Sequence, residues 1–178
     1  MNISLRGGVR SGLNFCHISL IALCVMNINE LVFIDNFDNH VVVMSEVVRL
    51  LKSYRQMQYV STEAGGVLIG ERRGPHIVIT HISEPGPGDI RTRNRFERKG
   101  DHHQLKVDEL FEQSNGFLVY LGEWHTHPED FPQPSYTDMK SWMTGLNAAE
   151  TMLLIIVGRK SEWVGIKNGN DIKSIREK

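Results

Sequence analysis

From Asn27 onward, apolar and polar positions fall into short blocks that read alternately as strands and helices. Leu31-Val32-Phe33-Ile34 and Val41-Val42-Val43 flank Asp35-Asn36-Phe37-Asp38-Asn39, which predicts strand, turn, strand. Ser45 is placed to cap a helix, and Val47, Val48, Leu50, Leu51 and Tyr54 follow at helical spacing, so a helix is expected to run to near Gln58. Glu63 then leads through Ala64 into Gly65-Gly66-Val67-Leu68-Ile69-Gly70, a short strand opened by a glycine pair that permits close backbone approach. Pro75 to Ser83 alternates as its hairpin partner, with His76 and His81 expected at the surface or the strand edge. Glu84-Pro85-Gly86-Pro87-Gly88-Asp89 is a loop, continuing into the basic stretch Arg91, Arg93, Arg95, Arg98 and Lys99.

Asp101 to Ser114 carries Leu105, Leu110 and Phe111 among charges, a surface helix whose His102 and His103 are expected to face solvent, and Asn115-Gly116 ends it. Phe117-Leu118-Val119-Tyr120-Leu121 reads as a buried strand, continued by Glu123-Trp124-His125-Thr126-His127-Pro128. After Pro128, Pro132 and Pro134, Ser135 starts a helix. Its Met139, Trp142, Met143 and Leu146 fall at i, i+3, i+4 and i+7 and so share one face. Thr151 to Val157 is an apolar strand and Trp163 to Ile166 a last one, with Asp171 to Lys178 a charged tail. The pattern predicts one domain over residues 27–170.

Residues 1–26 do not share it. Arg6 and Arg10 precede a short apolar stretch, Ile18 to Met26, broken by Ser19. The outline is that of a signal peptide, but the apolar run is short, lacks an Ala-x-Ala site and cannot span a bilayer. The stretch is read as an upstream mis-start before a natural Met26, with a poorly ordered arm as the alternative. At 178 residues, 40% hydrophobic and 23% charged, the chain is long enough for a core without disulfide or metal staples. A formal net charge of −1 gives no support to nucleic-acid binding or to an anionic membrane surface. The only cysteines, Cys16 and Cys24, lie far from the histidine pair, so a disulfide framework is not expected and a cytoplasmic compartment fits.

The chemistry concentrates at His125 and His127. On a strand, residues i and i+2 face one way, so both imidazoles can converge where Pro128 ends regular pairing. Asp138 supplies a carboxylate from the start of the next helix. Two histidines and one aspartate with a fourth position open is the ligand pattern of a catalytic zinc site; a structural site lacks its fourth protein ligand here. Such a zinc would bring a water to a pKa near 7. Glu63 could reach that water as general base from a neighbouring strand end. Ser135, three residues before Asp138, is a helix cap by spacing; if Asp138 turns to a metal it is less free to close that box. Ser135 could then also donate to a developing oxyanion.

Glu63, then His125-Thr126-His127, seven residues, Ser135, two residues and Asp138 resembles the JAMM motif of JAB/MPN zinc metalloproteases. The resemblance covers about residues 60–166. It implies an α/β fold, a mixed central sheet flanked by helices, with His125, His127 and Asp138 binding Zn2+, Glu63 as base and Ser135 as oxyanion donor. The implied reaction is hydrolysis of peptide or isopeptide bonds at the C-terminus of ubiquitin-like proteins. Gly65 to Gly74, Pro85 to Asp89 and Gly122 to Pro128 further resemble a bacterial subgroup, the deconjugating peptidases of CBASS antiphage operons. That implies a substrate made by an E1/E2-like ligase from the C-terminal tail of a cGAS-like nucleotidyltransferase, with no nucleic-acid or membrane partner. Arg91, Arg93 and Arg95 are then expected to hold the tail. The alternatives are a JAB peptidase acting on small ubiquitin-like or sulfur-carrier proteins, and a non-catalytic MPN interaction module.

Overall fold

The computed structural model describes residues 29–146 and 149–178. The expected N-terminal extension, residues 1–26, lies outside them.

β1 (Leu31–Ile34) and β2 (His40–Val43) form the first hairpin. Its turn is organised by Asp35, whose carboxylate accepts from the backbone N–H groups of Phe37 and Asn39 at 2.7 and 2.9 Å. α1 (Ser45–Ser53) follows, with Val47, Val48 and Leu51 buried. The cap position falls on Met44 and no side chain caps there, so Ser45 is the first helical residue. The helix also stops short of Gln58, because Gln56 turns inward and its amide donates to the carbonyls of Ser61 and Arg93 at 3.2 and 2.8 Å.

β3 (Gly65–Arg73) and β4 (His76–Ile82) pair antiparallel. The basic stretch expected as a loop forms a two-stranded hairpin, β5 (Ile90–Thr92) and β6 (Arg95–Glu97). α2 (His102–Gln113), β7 (Val119–Thr126), α3 (Tyr136–Gly145), β8 (Met152–Val157) and β9 (Glu162–Asn168) complete the predicted order. β7 begins only at Val119, with Phe117 exposed before it.

The tail expected at Asp171 to Lys178 is instead β10 (Asp171–Ser174) and β11 (Arg176–Glu177). The main sheet has the order β10-β9-β8-β7-β3-β4-β2-β1-β11. It is mixed, since β2 pairs parallel with β4 and β7 with β8 while the other neighbours are antiparallel. Its two edge strands are consecutive in the chain with one residue between them. That residue, Ile175, donates its N–H to Val164 O at 2.9 Å. The sheet therefore curls until one short segment joins both edges, which covers backbone groups that open edges would expose. Charge hid this in the sequence: edge strands carry charged side chains that blunt them.

One face of the curl holds the larger core, where α1 packs Val47, Val48 and Leu51 against Phe33, Leu68, Ile79, Leu121, Trp124 and Leu153. On the other face α3 packs Trp142 and Leu146 against Leu154 and Ile156. β8 serves both, so every residue from Met152 to Val157 is buried, as its unbroken apolar run requires. His125, His127 and Asp138 lie at the C-terminal end of β7 and the start of α3.

Candidate active site

β7 carries a bulge that aims the histidines. Leu68 pairs with Gly122 and Ile69 with Tyr120, leaving Leu121 as the extra residue. The shift lets Leu121 and Trp124 both enter the larger core and turns His125 to the opposite face, against the Trp142 ring at 5.8 Å. Gly122 has φ +152°, and a Cβ there would lie 1.9 Å from the Leu153 carbonyl oxygen of β8. Only glycine fits this place.

Beyond the bulge, His125 and His127 bring their Nε2 atoms to 3.0 Å of one another. Asp138 faces both: its Oδ1 is 3.3 Å from His125 Nε2 and its Oδ2 is 3.3 Å from His127 Nε2. A tetrahedral zinc with bonds of about 2.0–2.1 Å separates its ligand atoms by about 3.3 Å. The donor set and its spacing therefore fit a first-row divalent metal. The other ring nitrogen of His127 lies 3.2 Å from Glu129 Oε2, where a carboxylate could hold the imidazole in the tautomer that a metal would need.

Asp138 also closes the capping box of α3. Its Oδ2 accepts from Ser135 N at 2.7 Å, and Ser135 Oγ accepts from Asp138 N at 3.2 Å. The carboxylate that closes the box thus also faces both imidazoles. Burial opposes its charge, yet the bonds from His125, His127 and Ser135 hold it far below the usual carboxylate range. Burial likewise opposes charging His127, but Asp138 and Glu63 outweigh it and raise its pKa. Ser135 is exposed and lines the cleft.

Glu63 is buried beside this set. Burial pushes its carboxyl up to about 7, against the pull of His127 and with help from Asp138 and Glu129. A carboxyl in that range can both take and return a proton at neutral pH. Its neighbour Ala64 is tied to the strand of histidines: Ala64 N donates to Thr126 Oγ1 at 3.0 Å and Thr126 N to Ala64 O at 2.8 Å. The Thr126 hydroxyl then donates to Gln56 Oε1 at 3.1 Å. Thr126 and Gln56 were missed by sequence reading. A threonine between two histidines carries no ligand chemistry, and its role rests on contacts distant in sequence.

The cleft encloses about 980 Å³, bounded by Glu63, Trp124, both histidines, Ser135 and Asp138 on one side and by β6 on the other. Of the three arginines expected to hold substrate, Arg95 lines it, paired with Glu97, while Arg91 and Arg93 turn into their own chain. Arg91 Nε donates to Glu63 O at 2.7 Å. Arg93 donates to the carbonyls of Gln58 and Tyr59 and lies 4.6 Å over the Tyr59 ring.

His103, expected in solvent, is buried at the base of the hairpin. Its Nδ1 lies 2.6 Å from Ser83 Oγ and its Nε2 2.9 Å from Asp89 Oδ2. The Asp89 carboxylate can only accept, so the neutral imidazole donates to it through Nε2 and its Nδ1 accepts the Ser83 hydroxyl proton. Burial keeps His103 neutral, lowering its pKa against Asp89. Asp89, His102 and His103 could by spacing hold a metal. However, the two Asp89 oxygens are already taken by Gly86, Lys99 and Gly100 N–H groups and by His103. Nor can Ser83 act as a nucleophile, since it is wholly buried.

The family model for prokaryotic homologs of the JAB domain matches residues 45–171. The chain belongs to that family. It is accordingly an enzyme, a JAMM-type metalloprotease of the hydrolase class, and the mixed sheet with flanking helices is the family's α/β architecture. Among curated relatives of this JAB protein, a CD-NTase/cGAS isopeptidase of Escherichia coli (strain TW11681) is 68% identical over 153 residues, covering 86% of this chain and 98% of the relative. A protein of the same name from Vibrio cholerae serotype O1 is 58% identical over 138 residues, covering 78% and 88%. A third, from Pseudomonas aeruginosa, is 36% identical over 132 residues, covering 70% and 83%. Among the described residues no helix is long and apolar enough to cross a membrane.

Proposed function

We propose that this JAB enzyme is a zinc-dependent isopeptidase that releases a cGAS-like nucleotidyltransferase from proteins to which an E1/E2-like ligase has joined its C-terminus, in the cytoplasm, as part of CBASS antiphage defence. The observation that carries the reading is the convergence of three donor side chains, His125, His127 and Asp138, whose facing atoms lie 3.0–3.3 Å apart, with the buried carboxyl of Glu63 beside them. The names of the three relatives support the substrate class.

His125, His127 and Asp138 would hold the zinc ion. When bound, it supplies Lewis acidity toward a carbonyl and brings a water's pKa down to about 7. Glu63 takes a proton from the attacking water. Ser135 donates its hydroxyl proton as a hydrogen bond to the oxygen that gains charge, as its outward exposure allows. Glu63 then returns the proton to the lysine amine, so the C–N bond breaks toward a neutral leaving group. The bond to Asp138 N survives throughout, because it uses a Ser135 lone pair and leaves its proton free. The acyl-side tail would run along β6, past Arg95 and Glu97, the hairpin strand that faces the cleft.

Glu63→Ala is expected to keep one metal per chain and to lose turnover by about 10²-fold or more, measured on an isopeptide-linked conjugate with metal content read by mass spectrometry. Equal turnover in the variant would remove Glu63 from its role.

A further inference from the structure

Glu63 sits in no regular element. It precedes β3, and its position depends on what its backbone touches. Its N–H donates to Thr92 O at 2.7 Å, and its carbonyl accepts from Arg91 Nε at 2.7 Å. Both partners belong to β5. The next residue, Ala64, is held on the other side by Thr126 of β7. The backbone of the general base is thus clamped between the strand of the histidines and the hairpin whose other strand lines the cleft.

The hairpin is itself seated. Asp89, just before β5, accepts from Lys99 N and Gly100 N just after β6, closing the hairpin at its base, and His103 ties that carboxylate to Ser83 at the end of β4. Phe96, cross-strand partner of Arg91, lies over Gly65, where an added Cβ would be 2.4 Å from its ring. Arg91, by contrast, is on the surface and does not line the cleft. An exposed arginine of that kind ordinarily contributes little. What sets this one apart is its acceptor.

Resting on the function proposed above, we infer that Arg91 is a positioning residue for Glu63, fixing the base from the side of the cleft wall and not by contact with substrate. The guanidinium holds the Glu63 carbonyl in line with β5, and the carboxylate is thereby aimed at the space between the histidines. A displacement of the base by about 1 Å is enough to cost on the order of 100-fold in rate.

The test uses the metal-loaded full chain, a fluorogenic peptide with a lysine ε-amide bond as probe, and the variants Arg91→Ala and Arg91→Lys. Arg91→Ala is expected to lower kcat about tenfold or more with KM within about twofold and metal content unchanged. Amide exchange at Glu63 should quicken, since its bond to Thr92 O loosens. Arg91→Lys, which keeps a donor and the charge, should fall between wild type and Arg91→Ala in kcat and in exchange. A raised KM with kcat unchanged would make Arg91 a substrate contact and overturn the inference. So would unchanged kcat and exchange in Arg91→Ala, or loss of metal by both variants. If wild type leaves the probe uncut, the function reading fails, and the exchange comparison alone decides the role of Arg91.

Discussion

Thr126 lies between the two histidines, wholly buried, with its hydroxyl bonded to Ala64 N and Gln56 Oε1. Replacing it by valine keeps the shape and leaves both partners unpaired, a loss of about 1–3 kcal/mol for a buried polar group. Thr126→Val is therefore expected to lower the unfolding midpoint and to reduce turnover through Glu63, while Thr126→Ser restores both; thermal melts and kinetics on the same preparations check this. His125→Ala and Asp138→Ala behave differently. Each removes one donor of three, so metal content and activity should fall together, whereas Glu63→Ala separates them. The candidate donors His125, His127 and Asp138 stand out in the sequence because their residue types are rare and their spacing is local. Thr126, Gln56 and His103 do not, since hydroxyls, amides and lone histidines are common and their partners lie up to 70 residues away.

At the scale of elements, the bulge in β7 decides which way the motif faces. Strict alternation from Tyr120 would set Gly122 and Trp124 on one side with Tyr120. The extra residue instead sends Trp124 into the core with Leu121. Gly122→Ala would place a methyl group within van der Waals overlap of Leu153 O at a φ that alanine disfavours, so destabilisation by more than about 2 kcal/mol is expected, with weakened metal binding as the histidines lose their aim. Denaturant titration and metal content together check that outcome. α3 was readable from Ser135 and the i, i+3, i+4, i+7 stripe because cap and periodicity are local signals. The β5–β6 hairpin was not, because its strands are three residues each and mostly exposed, held by Asp89 and by contacts to residues 56–65, none of which leaves a period in the sequence.

For the molecule as a whole, His125, His127 and Asp138 belong to neither core cluster, although His125 borders Trp142. A chelator is accordingly expected to abolish activity while leaving the unfolding transition cooperative, the reverse of a small domain that folds on its metal. The edges of the sheet meet through β10 and β11, an arrangement that a charged C-terminal stretch concealed. Acid stability depends on Asp89. Burial opposes its charge, but the Gly100, Gly86, His103 and Lys99 donors hold its carboxyl well below the ordinary 3.8. A carboxyl depressed on folding stabilises the protein above its unfolded pKa, and that contribution is lost as pH falls toward the folded value. The margin of wild type over Asp89→Asn in thermal melts should thus be full above about pH 5 and shrink toward pH 3.

The central claim is that this site cuts a lysine-linked conjugate with Glu63 as its base. It is tested most directly by incubating metal-loaded wild type and Glu63→Ala with a protein joined through a lysine to the C-terminus of a cGAS-like nucleotidyltransferase, and weighing the products by mass spectrometry. Wild type should release the nucleotidyltransferase with its C-terminal carboxylate free and the target with its lysine unmodified, while Glu63→Ala, holding the same metal, leaves the conjugate whole. An intact conjugate with metal-loaded wild type, or equal cleavage by the variant, would contradict it.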